Sequence, residues 1–251
     1  MVTKVKTASE LEAMRESGRM LATVLQYLRP HVEPGITTKH LADKAAAEIA
    51  RLGGKPAFLG YQGFPDVICI SVNDEVVHGI PKASKVIADG DIVGLDFGVT
   101  YNGMITDSAI SVIAGKPKTR GQIQLLKDTE TALQAGIDAV HDKVRTGDIG
   151  SAVENSLKHR RYGIVHDLVG HGVGHYVHED PNIPNFGRAN TGPWLQRGMT
   201  IAIEPMVTLG TERVYIAPDG WTVLTADGSR AAHFEHTVLI TEDGAEILTT
   251  L

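Results

Sequence analysis

The chain has 251 residues, 42% apolar and 22% charged, with a formal net charge of −6. That balance does not suggest disorder, leaves room for one large domain or two small ones, and gives no electrostatic reason for a nucleic-acid partner. One cysteine, Cys69, excludes an internal disulfide framework, and no apolar run reaches membrane-spanning length.

The opening segment, MVTKVKTASE, lacks the apolar core of a secretory signal. With the lone cysteine it reads as a chain of the reducing cytoplasm. Ser9 and Glu12 have capping-box spacing. Leu11, Met14, Gly18, Leu21, Leu25 and Leu28 then recur at helical spacing until Pro30. Val32-Glu33-Pro34-Gly35 is a turn, Thr37 or Thr38 caps a second helix, and Gly53-Gly54 closes it. Val67 to Val72 reads as a strand, Asn73-Asp74 as a turn and Glu75 to His78 as a short strand stopped by Gly79-Ile80-Pro81.

The stretch from Asp91 to Ala114 is the most informative. Two apolar, β-rich runs flank Tyr101-Asn102-Gly103, and Asn-Gly is a strong hairpin signal. A two-residue loop at Tyr101-Asn102 places Asp96 opposite Asp107. A loop at Asn102-Gly103 makes them diagonal neighbours. Both registers put the two carboxylates on one face. Ile92, Val93, Leu95, Phe97, Met104, Ile105 and Ile110 leave no polar face, so the ribbon is expected to be buried on both sides. Two buried carboxylates repel and are costly to desolvate. A shared proton, an arginine or a cation is needed to offset that cost.

A long helix is expected from Gly121 to Val144, with Leu125, Leu126, Leu133, Ile137 and Val140 as its stripe. Thr146-Gly147-Asp148 reads as a turn, and Ile149, Val153 and Leu157 start another helix. The junctions Val32-Glu33-Pro34-Gly35 and Val144-Arg145-Thr146-Gly147 each join a long helix to a shorter one, a faint repeat about 112 residues apart. The glycine-rich run Gly170 to Pro181 then holds three histidines, His171, His175 and His178. Met199 to Met206 is a strand with Glu204 near its end. Arg213 to Tyr215 and Trp221 to Leu224 form a hairpin around Pro218-Asp219-Gly220. Ala232 to Ile240 is the last strand, with Glu235 on the same side as His233 and Thr237. No linker divides the chain, so one α+β domain over 1–251 is expected, with related halves over roughly 8–115 and 120–245.

Four acidic residues lie in apolar strands: Asp96, Asp107, Glu204 and Glu235. With one histidine, most simply His171, they make a hard, oxygen-rich set. Such a set suits paired divalent ions better than a thiolate zinc site. A single buried carboxylate is more often salt-bridged, but these strands contain no lysine, and only Arg213 and Arg230 are near in sequence. His171-Gly172-Val173-Gly174-His175 is not the H-E-x-x-H pattern, because Gly172 stands where the glutamate would be. His141 and His159 sit among charges and read as solvated. Cys69 lacks an activating partner and reads as a small core residue.

In this order and spacing the motifs GRMLA, VEPGITT, CISVNDEVVHGIP, DIVGLDFGV, TDSA, GHGVGHYVHEDP, IAIEPM and FEHTVLI resemble the type I methionine aminopeptidases of the pita-bread fold, over essentially the whole chain. The resemblance implies an antiparallel sheet flanked by helices in two pseudo-symmetric halves. It implies two divalent ions, Co²⁺, Mn²⁺, Fe²⁺ or Zn²⁺, on Asp96, Asp107, His171, Glu204 and Glu235. Asp107 and Glu235 would bridge, Asp96 would chelate one ion, and His171 with Glu204 would hold the other. It implies that His78 and His178 contact substrate and that Tyr61, Phe64, Cys69, Val177 and Trp221 line a methionine pocket. A metal-activated water would attack the first peptide bond, with Glu204 as proton shuttle, to remove initiator methionine when the second residue is small. Nascent polypeptide N-termini would be the partners, with the ribosome exit tunnel as the setting, and the protein would act as a monomer. Phe64 and Val177 depart from the tyrosine and phenylalanine common in the family. The lack of the N-terminal zinc-binding extension of eukaryotic cytosolic members makes the chain look bacterial-like.

Overall fold

The computed structural model describes residues 2–251. Helix α1 (Ala8–Leu28) is capped by Thr7, not Ser9. The Thr7 hydroxyl accepts from the Glu10 amide at 3.3 Å, and the Glu10 carboxylate accepts from the Thr7 amide at 2.7 Å. Two overlapping pairs have capping spacing. The earlier one prevails because Glu10 also accepts from His175 Nε2 at 2.7 Å, a contact between residues 165 apart. Helix α2 (Thr38–Leu52) is capped by Thr37 and ends on left-handed Gly53, as its glycine pair predicts.

Helix α3 (Arg120–Asp138) ends six residues before the expected Val144. Val140 and Val144 are buried all the same. Periodic burial persists past the helix, while Lys143 takes a left-handed φ of 62° that a continuing helix does not allow. Helix α4 (Thr146–Leu157) includes Thr146-Gly147-Asp148, expected as a turn, as its first turn. Asp148 accepts from the Arg145 amide at 3.0 Å and so caps the start. The two helix junctions correspond further than the sequence shows. Thr37 and Arg145, which precede α2 and α4, each form an isolated antiparallel bridge to a distant loop, at Val86 and Trp194.

The strands are β1 (Lys55–Pro56), β2 (Cys69–Val72), β3 (Glu75–Val77), β4 (Ile92–Tyr101), β5 (Met104–Ile113), β6 (Gly163–Ile164), β7 (Gly170–Gly172), β8 (Glu179–Ile183), β9 (Thr200–Ile203), β10 (Met206–Thr208), β11 (Val214–Ile216), β12 (Val223–Thr225), β13 (Ala231–His233), β14 (Glu235–Ile240) and β15 (Ala245–Ile247). The main sheet runs β1-β4-β5-β14-β9-β7-β8, with β2 beside β4 and β15 beside β14; its pairings are antiparallel. Two smaller sheets, β13-β10-β6 and β11-β12-β3, flank it.

The β4–β5 hairpin decides between the two registers. Tyr101 pairs with Met104, so the loop is Asn102-Gly103, with φ of 47° and 79°. That is the left-handed pair a two-residue type I′ loop needs. Leu95 and Phe97 pack into the core with α1 and α2 residues such as Leu21 and Leu41. Strand alternation therefore turns Asp96 to the opposite face. Phe234, Val238 and Ile240 likewise enter the core that contains Leu133 and Ile137 of α3, which turns Glu235 and Thr237 the other way.

Two expected strands are broken where function concentrates. Pro205 has no amide to donate, so β9 stops and β10 resumes at Met206. The run Ala232 to Ile240 breaks at Phe234. The breaks lie side by side: Ile203 pairs with His236 in the main sheet, and Met206 pairs with His233 in a smaller one. Glu204 and Glu235 stand at this crossing. Among the described residues no helix is long and apolar enough to cross a membrane.

Candidate metal centre

Five elements bring the predicted side chains to one cavity of about 150 Å³. Asp96 comes from β4, Asp107 from β5, His171 from β7, Glu204 from the β9–β10 break and Glu235 from β14. All five line it. The His171 Nε2 lies 3.5 Å from Glu204 Oε1. Ligand atoms of Asp107, His171 and Glu235 lie within 4.8 Å of one another, and so do those of Glu204, His233 and Glu235.

The local supports explain this placement. Thr237 Oγ accepts from the Asp107 amide at 2.9 Å and donates to the Asp107 carbonyl at 2.8 Å. Ser108 Oγ donates to the Glu235 carbonyl at 2.6 Å. Asn185 donates to the Glu204 carbonyl at 3.0 Å. His171 Nδ1 lies 2.9 Å from the Gly172 carbonyl, which only accepts, so Nδ1 carries the proton and Nε2 presents its lone pair to the cavity.

The electrostatics are those of a site missing positive charge. Asp96 is pushed well above the usual carboxylate range by burial and by the charges of Asp107 and Glu204. Burial and Glu204 raise Asp107 to about 8, and burial raises Glu204 to about 8. Glu235 is driven up by burial and by Asp107, Glu204 and Asp96. Burial holds His171 down to about 3, with His178 adding to the effect, so it stays neutral. The buried oxygens Asp96 Oδ1, Asp107 Oδ1 and Glu235 Oε1 have no hydrogen-bond partner. Among the described residues no lysine or arginine pairs with these carboxylates; Arg230 instead contacts Asn73. Of the three ways to offset the aspartate pair, the arginine is thus ruled out. Hard oxygen donors plus a neutral imidazole, with orphaned lone pairs aimed into one small cavity, fit divalent cations.

The cavity wall carries Tyr61, Phe64, Cys69, His78, His178 and Trp221. His178 Nδ1 lies 2.9 Å from Tyr61 Oη, and its ring centroid is 4.2 Å from that of His171. His78 holds a left-handed φ of 59° and meets Trp221 edge-on at 6.3 Å between centroids. Burial lowers His78 to about 4 and pulls His178 down as well. Val177 stands behind the wall, packed with Phe58, Phe64 and Cys69. Cys69 is buried, and its thiol is raised by burial and by Asp96, which suits a packing role. Three residues went unassigned in the sequence. Phe58 and Gln62 line the cavity from the loop before β2. His233 has its Nε2 buried, unpartnered and 3.5 Å from Glu204 Oε2. Its i−2 spacing from Glu235 was the available signal.

Residues 12–242 match the metallopeptidase family M24. The chain belongs to that family. It is 45% identical over 244 residues to methionine aminopeptidase 1 of Bacillus subtilis, covering 97% of this chain and 98% of the relative. It is 44% identical to the methionine aminopeptidase of Aquifex aeolicus over the whole of both. The crystal structure of the Thermotoga maritima methionine aminopeptidase superposes with a TM-score of 0.97 at 44% identity, over 100% of each chain. Prolidase from Pyrococcus furiosus superposes at 0.80 with 25% identity, over 98% of this chain but 65% of that one. The fold is therefore the pita-bread fold of these M24 peptidases, as the motifs predicted, and the chain is a metallopeptidase of the methionine aminopeptidase type.

Proposed function

We propose that this protein removes the initiator methionine from nascent proteins whose second residue is small, as a metal-dependent exopeptidase of one domain over 1–251. One observation carries the reading: acidic side chains from four separate segments converge with His171 on one cavity, where an oxygen each of Asp96, Asp107 and Glu235 lacks a partner. Asp96, Asp107, His171, Glu204 and Glu235 would hold two divalent ions from the set Co²⁺, Mn²⁺, Fe²⁺ and Zn²⁺. When bound, the ions supply an acidified water and a Lewis acid at the scissile carbonyl.

The chain's own residues do the rest. The apolar wall of Tyr61, Phe64, Cys69 and Trp221, backed by Val177, receives the methionine side chain. Glu204 takes a proton from the attacking water on a carboxylate oxygen and hands it to the leaving amine. With His178 Nδ1 accepting from the Tyr61 hydroxyl, 2.9 Å away, Nε2–H would be free to steady the developing oxyanion. His78, beside Trp221 in the cavity wall, orients the peptide. In this reading the protein works as a cytoplasmic monomer near the ribosome exit tunnel.

The test is hydrolysis of Met-Ala-Ser by chelator-treated protein, re-supplied with each metal in turn. Metal-dependent release of methionine is expected, with a Met-Pro dipeptide left intact. Preference for the Xaa-Pro bond would favour prolidase chemistry on the same fold, and no metal-dependent turnover would sink both.

A further inference from the structure

The glycine-rich run that supplies His171 and His178 keeps a feature the chemistry does not use. Two of its glycines, with Gly198 just before β9, form a seat for the first residues of the chain. A Cβ on Gly172 would lie 2.7 Å from Thr3 Cβ, one on Gly174 would lie 2.4 Å from Lys6 Cε, and one on Gly198 would lie 2.6 Å from Val5 Cγ1. Gly174 also holds a φ of 147°. The arm is tied down by backbone bonds: the Thr3 amide donates to Asp180 O at 2.6 Å and the Lys6 amide to Gly198 O at 2.8 Å.

Lys6 then reaches inward. Its side chain has no exposure, and that of Glu179 has 2%. The ammonium donates to Thr3 Oγ at 2.9 Å, to the Lys4 carbonyl at 3.0 Å and to Glu179 Oε2 at 3.2 Å, which uses all three of its protons. The other Glu179 oxygen accepts the amides of His175 at 2.7 Å and Tyr176 at 3.1 Å. Glu179 directly follows His178. The stem of the β7–β8 loop is held by the sheet, through Ile105 N to Gly174 O at 2.7 Å and Thr200 Oγ to Val173 O at 2.6 Å. The tip, residues 175–179, is gathered around one carboxylate, whose charge is balanced by Lys6. A buried ion pair is weak evidence for stability. Its placement against the loop that bears a proposed substrate contact is evidence for positioning.

We propose that the arm of residues 2–6 is a clamp on the β7–β8 loop, and that Lys6 is a positioning residue which, through Glu179, fixes His178 and Val177 against the cavity. This rests on the role given to His178 above.

The test uses the full chain loaded with two equivalents of Co²⁺. In Lys6→Met, kcat on Met-Ala-Ser should fall about 10- to 100-fold, the scale of an ångström-sized misplacement, with metal stoichiometry unchanged. The His175 and Tyr176 amides should exchange with deuterium at least about tenfold faster. In Lys6→Met/Glu179→Leu the charges are gone, so Tm should recover while kcat stays low, because those amides have lost their acceptor. Wild-type kcat in the single variant, or recovery of both Tm and kcat in the double one, would overturn the clamp. Should neither variant fold, the unmodified chain decides. Protection of the His175 and Tyr176 amides equal to that of the Lys6 amide supports the clamp, and exchange at open-loop rates refutes it. If the unmodified, loaded chain does not cleave Met-Ala-Ser, the proposed function fails, while the exchange measurement still judges the clamp.

Discussion

Asp96 and Asp107 are diagonal neighbours across the β4–β5 hairpin, with Asp96 opposite Ala109 and Asp107 opposite Gly98. Phe58 packs over Gly98, where an added Cβ would lie 2.6 Å from its ring. Glu235 pairs with the same Ala109 from the other side of β5. Three carboxylates thus meet around a single alanine, and the energetics of the site follow from that crowding.

The first consequence is a pH-dependent stability of the metal-free protein. Asp107 and Glu204 are both raised to about 8, from ordinary values of 3.8 and 4.5. Between those limits the native state binds more protons than the unfolded chain. Stability from these groups is therefore complete at low pH and is lost as pH rises through about 8. Chelated protein should show a lower Tm at pH 8.5 than at pH 6, and added metal should lift the pH 8.5 value most, because fewer protons compete with it there. A chelated Tm that rises steadily over that interval would contradict the site's electrostatics.

Glu204 is exposed to the sharpest mutational test. Glu204→Gln keeps shape but cannot carry the shuttled proton. Turnover of Met-Ala-Ser is expected to drop by about 10²- to 10⁴-fold, the usual worth of general acid–base catalysis. The circular dichroism spectrum should be unchanged. Activity within a factor of a few of the parent would remove Glu204 from the proton path.

The Tyr61 hydroxyl matters in a different way. Tyr61→Phe preserves the pocket wall but frees His178 Nδ1, now 2.9 Å from Tyr61 Oη. A lost hydrogen bond of about 1 kcal/mol predicts roughly a fivefold lower kcat, with KM for the methionyl substrate little altered. A rise in KM at constant kcat would instead assign Tyr61 to methionine binding alone.

Gly18 sets helix propensity against packing. In an exposed helix, Gly→Ala stabilises by about 1 kcal/mol. Here an added Cβ would lie 2.0 Å from the Leu248 carbonyl oxygen, a backbone atom that cannot swing away. Gly18→Ala should lower stability by about 2 kcal/mol in urea unfolding, in the range of overpacked cores. An increase in stability would mean that the C-terminal segment moves aside easily.

Element type was legible wherever a local rule acts alone. Thr37 and Gly53 bound α2 as their chemistry predicts, and Asn102-Gly103 turns the hairpin. The errors came from remote contacts and from local breaks that periodicity does not show. Thr7 displaced Ser9 as a cap because His175 reaches Glu10. The helix expected to reach Val144 stopped at Asp138, although burial kept its period. The strands through Glu204 and Phe234 broke together, each beside the other.

By itself the sequence determined which side chains would be chemically out of place: four carboxylates in apolar strands, with a histidine in a glycine-rich run, needing a compensating charge. Burial cost and strand parity are local properties, so they can be read from spacing. Only the tertiary structure decided that these groups share one cavity, that His233 stands 3.5 Å from Glu204, and that Lys6 reaches Glu179 across 173 positions. Those facts depend on which strands become neighbours, and pairing between segments far apart in the chain is set by the packing of the whole core.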